Sequence, residues 1–170
     1  MYKTKKKNVI LIQPHSDDIL FSASHFLKMR SKYDQFIILT VEVDDKRIEE
    51  DEALCNNFDV DLLTLEISVS SKNFHKEYYQ HNKHLLDSTA WDFCLERIGK
   101  KNVRKLEKEL HDLLSVLKED FEIITCLGVG HPFHFLVSKL TYEFADLFYR
   151  DFPHSYKRRN QVYLDSILID

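Results

Sequence analysis

Apolar runs of strand length alternate with amphipathic stretches of helix length along most of this chain. Asn8 to Gln13 contains Val9-Ile10-Leu11-Ile12, a continuous apolar run that reads as a short buried strand. Phe36 to Val43, Val60 to Ile67 and Phe121 to Leu127 repeat the pattern, and Val162 to Ile169 is expected to be a last strand. Between the first two runs, Ile19, Leu20, Ala23, Phe26 and Leu27 fall on one face of a helix expected from Asp18 to Arg30. Asp45 to Phe58 is helix-friendly, with apolar Ile48, Ala53 and Leu54. Val103, Leu106, Leu110, Leu113, Leu114 and Leu117 stripe a helix over Asn102 to Lys118. A further helix is expected over Pro132 to Asp151, with Leu136, Val137, Leu140, Phe144, Leu147 and Phe148 inward. Strands alternating with helices predict an α/β fold, an open and mostly parallel sheet covered on both faces.

A length of 170 residues favours one domain spanning residues 1–170. Residues 68–99 are aromatic-rich and histidine-rich without a clear period. They are expected to form an irregular excursion over the sheet edge with at most one helix. Only three glycines are present, and neither GxGxxG nor GxxxxGK[ST] occurs. A dinucleotide-binding or P-loop reading is therefore disfavoured.

The net charge is -4 with both signs mixed throughout, so no nucleic-acid partner is expected. The Lys3 to Lys7 run reads as a solvated lead-in to the first strand. Cys55, Cys94 and Cys126 are odd in number and form no CxxC pair, which fits reduced core thiols in a cytoplasmic protein. No apolar run approaches the ~20 residues that span a bilayer.

Chemistry concentrates in two places. His15-Ser16-Asp17-Asp18 lies where the first strand hands over to a helix, a common place for ligands in open α/β sheets. On its own this stretch reads as readily as a helix cap, with Ser16 or Asp17 as the cap. His131-Pro132-Phe133-His134 occupies a similar junction. Pro132 suits a first helical position, which makes His131 the N-cap and puts His134 in the first turn, on a common side with His131. If the two strands are neighbours, both clusters meet at one sheet edge. A His, Asp, His set with an open fourth position suits catalytic zinc, although other divalent ions accept the same ligands. The spare groups, Asp17 and His131, match a general base and an oxyanion stabiliser.

Pro14-His15-Ser16-Asp17-Asp18 resembles the (A/P)HPDDE motif of the LmbE-like, PIG-L family of zinc-dependent N-deacetylases. Gly130-His131-Pro132-Phe133-His134 resembles that family's later HPDH motif. Arg47, Glu50, Ala53 and Phe58-Asp59-Val60 echo its R-x-x-E-x-x-A helix and the turn after it. The resemblance runs from Asn8 to Arg150 and implies a Rossmann-like fold. It further implies hydrolysis of an N-acetyl or other N-acyl group from an amino-sugar-containing small molecule. In that alignment His15, Asp18 and His134 match the metal ligands, Asp17 the base, and His131 the histidine that assists the tetrahedral intermediate. Ser16, Ile19 and Phe133 depart from the motifs, and the C-terminus is short for the family. These departures motivate an alternative, a divergent member that binds a glycan or nucleotide-sugar without hydrolysing it.

Other residues carry weaker expectations. Asp44, Asp45 and Arg47 are candidates for substrate contact, while His25, His75, His81 and His84 are expected to be surface histidines. Tyr78 and Trp91 are expected to pack rather than to stack on a sugar.

Overall fold

Val9 to Ile12 are fully buried because their strand, β1 (Asn8–His15), runs through the middle of the sheet. The computed structural model describes residues 7–42, 48–65, 70–82 and 87–151. β2 (Gln35–Glu42) lies parallel on one side of β1 and β4 (Phe121–Cys126) parallel on the other. β3 (Asp61–Thr64) flanks β2, and β5 (Leu147–Tyr149) flanks β4, again in parallel. The order β3-β2-β1-β4-β5 is that of an open, Rossmann-like α/β sheet, as expected. The chain builds outward from β1 through β2 and β3, then crosses back to place β4 on β1's free side. The crevice at the carboxyl ends of β1 and β4 is therefore the topological switch point, where such sheets hold ligands.

The helices are α1 (Ser24–Leu27), α2 (Ile48–Phe58), α3 (Phe74–His81), α4 (Asp87–Ile98), α5 (Lys100–Leu117) and α6 (Pro132–Thr141). In α5, Val103, Leu106, Leu110 and Leu114 are buried at spacings of three and four, as the stripe predicted. Nine of the ten α6 residues are buried, so this helix is a core element. Gly128, in the loop leading to it, has φ +78°. A Cβ there would meet the Ser138 Cβ at 2.7 Å, so the loop closes tightly on α6 only with glycine.

Three expectations are corrected. The first helix is not regular: a π-helical turn (Ile19–Ala23) precedes α1, and a 3-10 turn (Arg30–Lys32) follows it. The wider π turn shifts the phase, so Ile19, Ala23, Phe26 and Leu27 are buried while Leu20 is 48% exposed. The helix expected to reach Asp151 stops at Thr141. The Asp146 carboxylate accepts the Ile123 N–H (3.0 Å) and the Asp146 N–H donates to the Ile123 carbonyl (2.8 Å). That pairing captures the chain into β5, and Leu147 and Phe148 lie in this strand, partly exposed. The described part of residues 68–99 holds two helices where an irregular excursion with at most one helix was expected. α3 buries Phe74 and Tyr78, four residues apart, and Glu77 pairs with Arg97 of α4 at 2.8 Å.

The expected strand Val162 to Ile169 lies outside the described residues, as do Asp44, Asp45, Arg47 and His84. Among the described residues, no helix is long and apolar enough to cross a membrane. Cys55, Cys94 and Cys126 are free and buried.

Candidate metal centre

β1 and β4 are neighbours, so the loops after them bring the two clusters together as anticipated. His15 is the last residue of β1. Its ring lies 4.8 Å from that of His134 and 5.1 Å from that of His131, centroid to centroid. The metal-ligating atoms of His15, His131 and His134 all fall within 4.8 Å of one another.

Asp18 stands at the start of the π-helical turn, yet its carboxylate makes no cap hydrogen bond to that turn. It reaches back instead, accepting the His15 backbone N–H at 2.8 Å. The Asp18 carboxylate is thereby held against the histidines. Its Oδ2 lies 3.2 Å from His15 Nδ1 and 3.4 Å from His134 Nε2, and those two nitrogens are 2.9 Å apart.

The partners on the far side of each ring fix which nitrogen carries a proton. Asp151 is fully buried, and its Oδ1 accepts from His134 Nδ1 at 2.7 Å. That leaves the His134 Nε2 lone pair facing Asp18. His15 Nε2 donates to Ser71 Oγ at 2.7 Å, with Glu42 Oε2 at 3.3 Å. Ser71 Oγ in turn donates to Glu42 Oε2, and the Ser71 N–H binds Glu42 Oε1 at 2.9 Å. In its neutral form His15 therefore also turns its Nδ1 lone pair to the centre. Carboxylate and hydroxyl partners of this kind set the tautomer and orientation of metal-binding histidines.

Two imidazole nitrogens and a carboxylate oxygen converge at 2.9–3.4 Å, a cluster that a proton on His15 holds together in metal-free protein and that a cation could hold in its place. Bonds of about 2.0–2.2 Å place neighbouring tetrahedral ligands about 3.3–3.6 Å apart and octahedral ones about 2.8–3.1 Å apart. The three separations, 2.9, 3.2 and 3.4 Å, span the two ranges, so small shifts of the side chains would seat the donors on one face around a small divalent ion.

His131 differs from the other two histidines. It is the N-cap of α6, and its Nδ1 accepts the Phe133 N–H at 3.2 Å. Its proton then belongs on Nε2, which makes His131 a donor rather than a ligand. Asp17 occupies the half-buried turn between His15 and Asp18, near enough to Asp51 to act on its charge.

Ser71, His15 and Asp18 superficially repeat a serine-hydrolase triad. The Ser71 proton points to Glu42 rather than to His15, and Ser71 is 5% exposed, so it is not presented as a nucleophile.

Burial opposes a charge on His15, but hydrogen bonds and charges from Asp18 and Glu42 outweigh it and raise its pKa to about 9. Burial likewise opposes the Asp18 carboxylate, but His134 and His15 hold its pKa down at about 2. In metal-free protein the His15 proton stabilises the fold fully below the unfolded value of 6.5, and that stabilisation is lost as pH rises towards 9. Metal-stripped protein is accordingly expected to lose up to about 3 kcal/mol between pH 6.5 and 9.5. Urea denaturation across that window measures it, and a His15→Gln variant should show a flatter profile.

Glu42, Ser71 and Asp151 were not among the residues expected from the sequence, and the structure adds all three. His75, expected on the surface, stacks on His131 with ring centroids 5.8 Å apart and planes 19° apart. Tyr78 packs fully buried, as expected. His25 and His81 are exposed, also as expected. No protein-family model matches the chain, and no curated protein matches it.

Proposed function

We propose that the protein is a metal-dependent N-deacylase of the LmbE-like, PIG-L type. Its substrate would be an N-acetylated amino sugar or related conjugate. The observation that carries this reading is the convergence of His15 Nδ1, Asp18 Oδ2 and His134 Nε2, with each imidazole held by a partner on its far side and the carboxylate by the His15 N–H. Zinc suits these ligands; bound there, it would lower the pKa of a coordinated water towards ~7 and polarise an amide carbonyl.

The chain supplies the remaining chemistry. Asp17, beside the ligands in the same turn, takes the proton of the attacking water and returns it to the leaving amine. His131 Nε2–H donates to the carbonyl oxygen as charge develops on it. Its capped tautomer favours this role, because the proton stays on the nitrogen that Phe133 N–H does not occupy.

Two of the three motif departures put apolar side chains in the core beside the ligands. Ile19 and Phe133 are both fully buried. Phe133 packs with its ring 5.3 Å from His15, while Asp151 supplies the carboxylate to His134. A carboxylate therefore supports His134 even without an acid at position 133. This favours hydrolysis over the alternative of a binding protein that has lost catalysis.

Elemental analysis after zinc reconstitution, with acetate release from N-acetylglucosamine conjugates, tests the reading. About one zinc per chain with metal-dependent acetate release is expected. Absence of zinc uptake removes the proposal. Zinc uptake with tight, metal-indifferent glycan binding and no acetate release selects the binding-protein alternative.

A further inference from the structure

A cavity of about 340 Å³ opens between the first helical segment and β5, a volume typical of small-ligand sites. Its aromatic walls include Phe21, Phe148 and Tyr149, and its polar lining is Ser22, His25 and Arg150. Two of the rings stand open to solvent, with Phe21 61% and Phe148 38% exposed.

The charge of this cavity is unusual for the molecule. The chain carries a net charge of -4, and the neighbouring centre is built with Asp18, Glu42 and Asp151. Yet among the described residues no acid lines the cavity, and the ionisable nitrogen groups there are Arg150 and His25.

Its lining adjoins residues of the candidate centre at two points of the chain. Phe21 and Ser22 lie in the π-helical turn that begins directly after Asp18. Arg150 adjoins Asp151, the residue that holds His134. A guanidinium fork matches carboxylate and phosphate oxygens, while phenyl faces accept the apolar face of a ring.

We infer that this cavity is the subsite for an anionic, ring-bearing part of the substrate, a sugar phosphate or sugar acid rather than a neutral sugar. The sugar identity rests on the N-deacylase reading; the preference for an anion does not.

Calorimetry with N-acetylglucosamine 6-phosphate, N-acetylmuramic acid and N-acetylglucosamine tests it, on zinc-loaded and on zinc-stripped protein. At least one acidic sugar is expected to bind about tenfold more tightly than the neutral one in both preparations. Preference for the ester assigns phosphate, and preference for the acid assigns carboxylate. Arg150→Ala should bring the acidic sugar to the neutral level, and Arg150→Lys should retain part of the difference. Equal binding of the three sugars, or a preference untouched by Arg150→Ala, overturns the inference. An Arg150-dependent preference without acetate release defeats the N-deacylase reading and leaves the subsite standing. Acetate release without any preference does the reverse.

Discussion

Asp18→Asn is expected to abolish zinc uptake at the site, weakening affinity by more than about 100-fold, because it removes a ligand rather than a supporting group. Acetate release should fall with it. The substitution is nearly isosteric, and the amide oxygen can still accept the His15 N–H that Asp18 now binds at 2.8 Å. Loss of metal should therefore occur in a folded protein, which circular dichroism checks. A second readout is independent of metal. Asp18 helps raise the His15 pKa to about 9, so the His15 imidazole in stripped Asp18→Asn protein should titrate lower. Nuclear magnetic resonance of the ring protons follows that change. Unaltered zinc affinity in the folded variant would rule out Asp18 as a ligand.

Asp151→Ala is expected to damage both the fold and the site. Asp151 is fully buried and accepts from His134 Nδ1 at 2.7 Å and from the Val129 N–H at 3.1 Å. Removing it leaves two buried donors without partners, at a cost of about 1–3 kcal/mol each. A melting-temperature drop consistent with about 2–5 kcal/mol should follow, with zinc affinity down by about 10–100-fold. Asp151→Asn separates the two effects. Its amide oxygen can still satisfy one donor, so stability should largely return. The neutral group polarises His134 less, so zinc affinity should stay low. If Asp151→Asn binds zinc as tightly as the parent, Asp151 serves the fold alone.

Local composition carried the strands and the ends of the site. The apolar runs of β1, β2 and β4 are continuous because those strands are buried in the sheet interior, and such runs can be read without tertiary information. His131, Pro132 and His134 were readable because a helix start constrains residue type. β5 was not readable: Leu147 and Phe148 continue a helical apolar spacing, and the hydrogen bonds to Ile123 that divert the chain are long-range. Missing β5 concealed Asp151, which looked like the end of a helix. Glu42 reaches His15 only through the β1–β2 register, in which the two residues are paired. Ser71 follows β3 in a segment without any period. Those supporting groups are assembled by strand pairing and have no local signature. Asp44 and Arg47 fall outside the described residues.

The switch point has a consequence for how this chain acquires its chemistry. His15 and His134 are 119 positions apart, and their contact exists only once β4 has docked on β1. An unfolded chain presents no such constellation, so an ion taken up here would select the folded state alone. The melting temperature should then climb with free zinc concentration, and the metal would report whether the first and fourth strands have met.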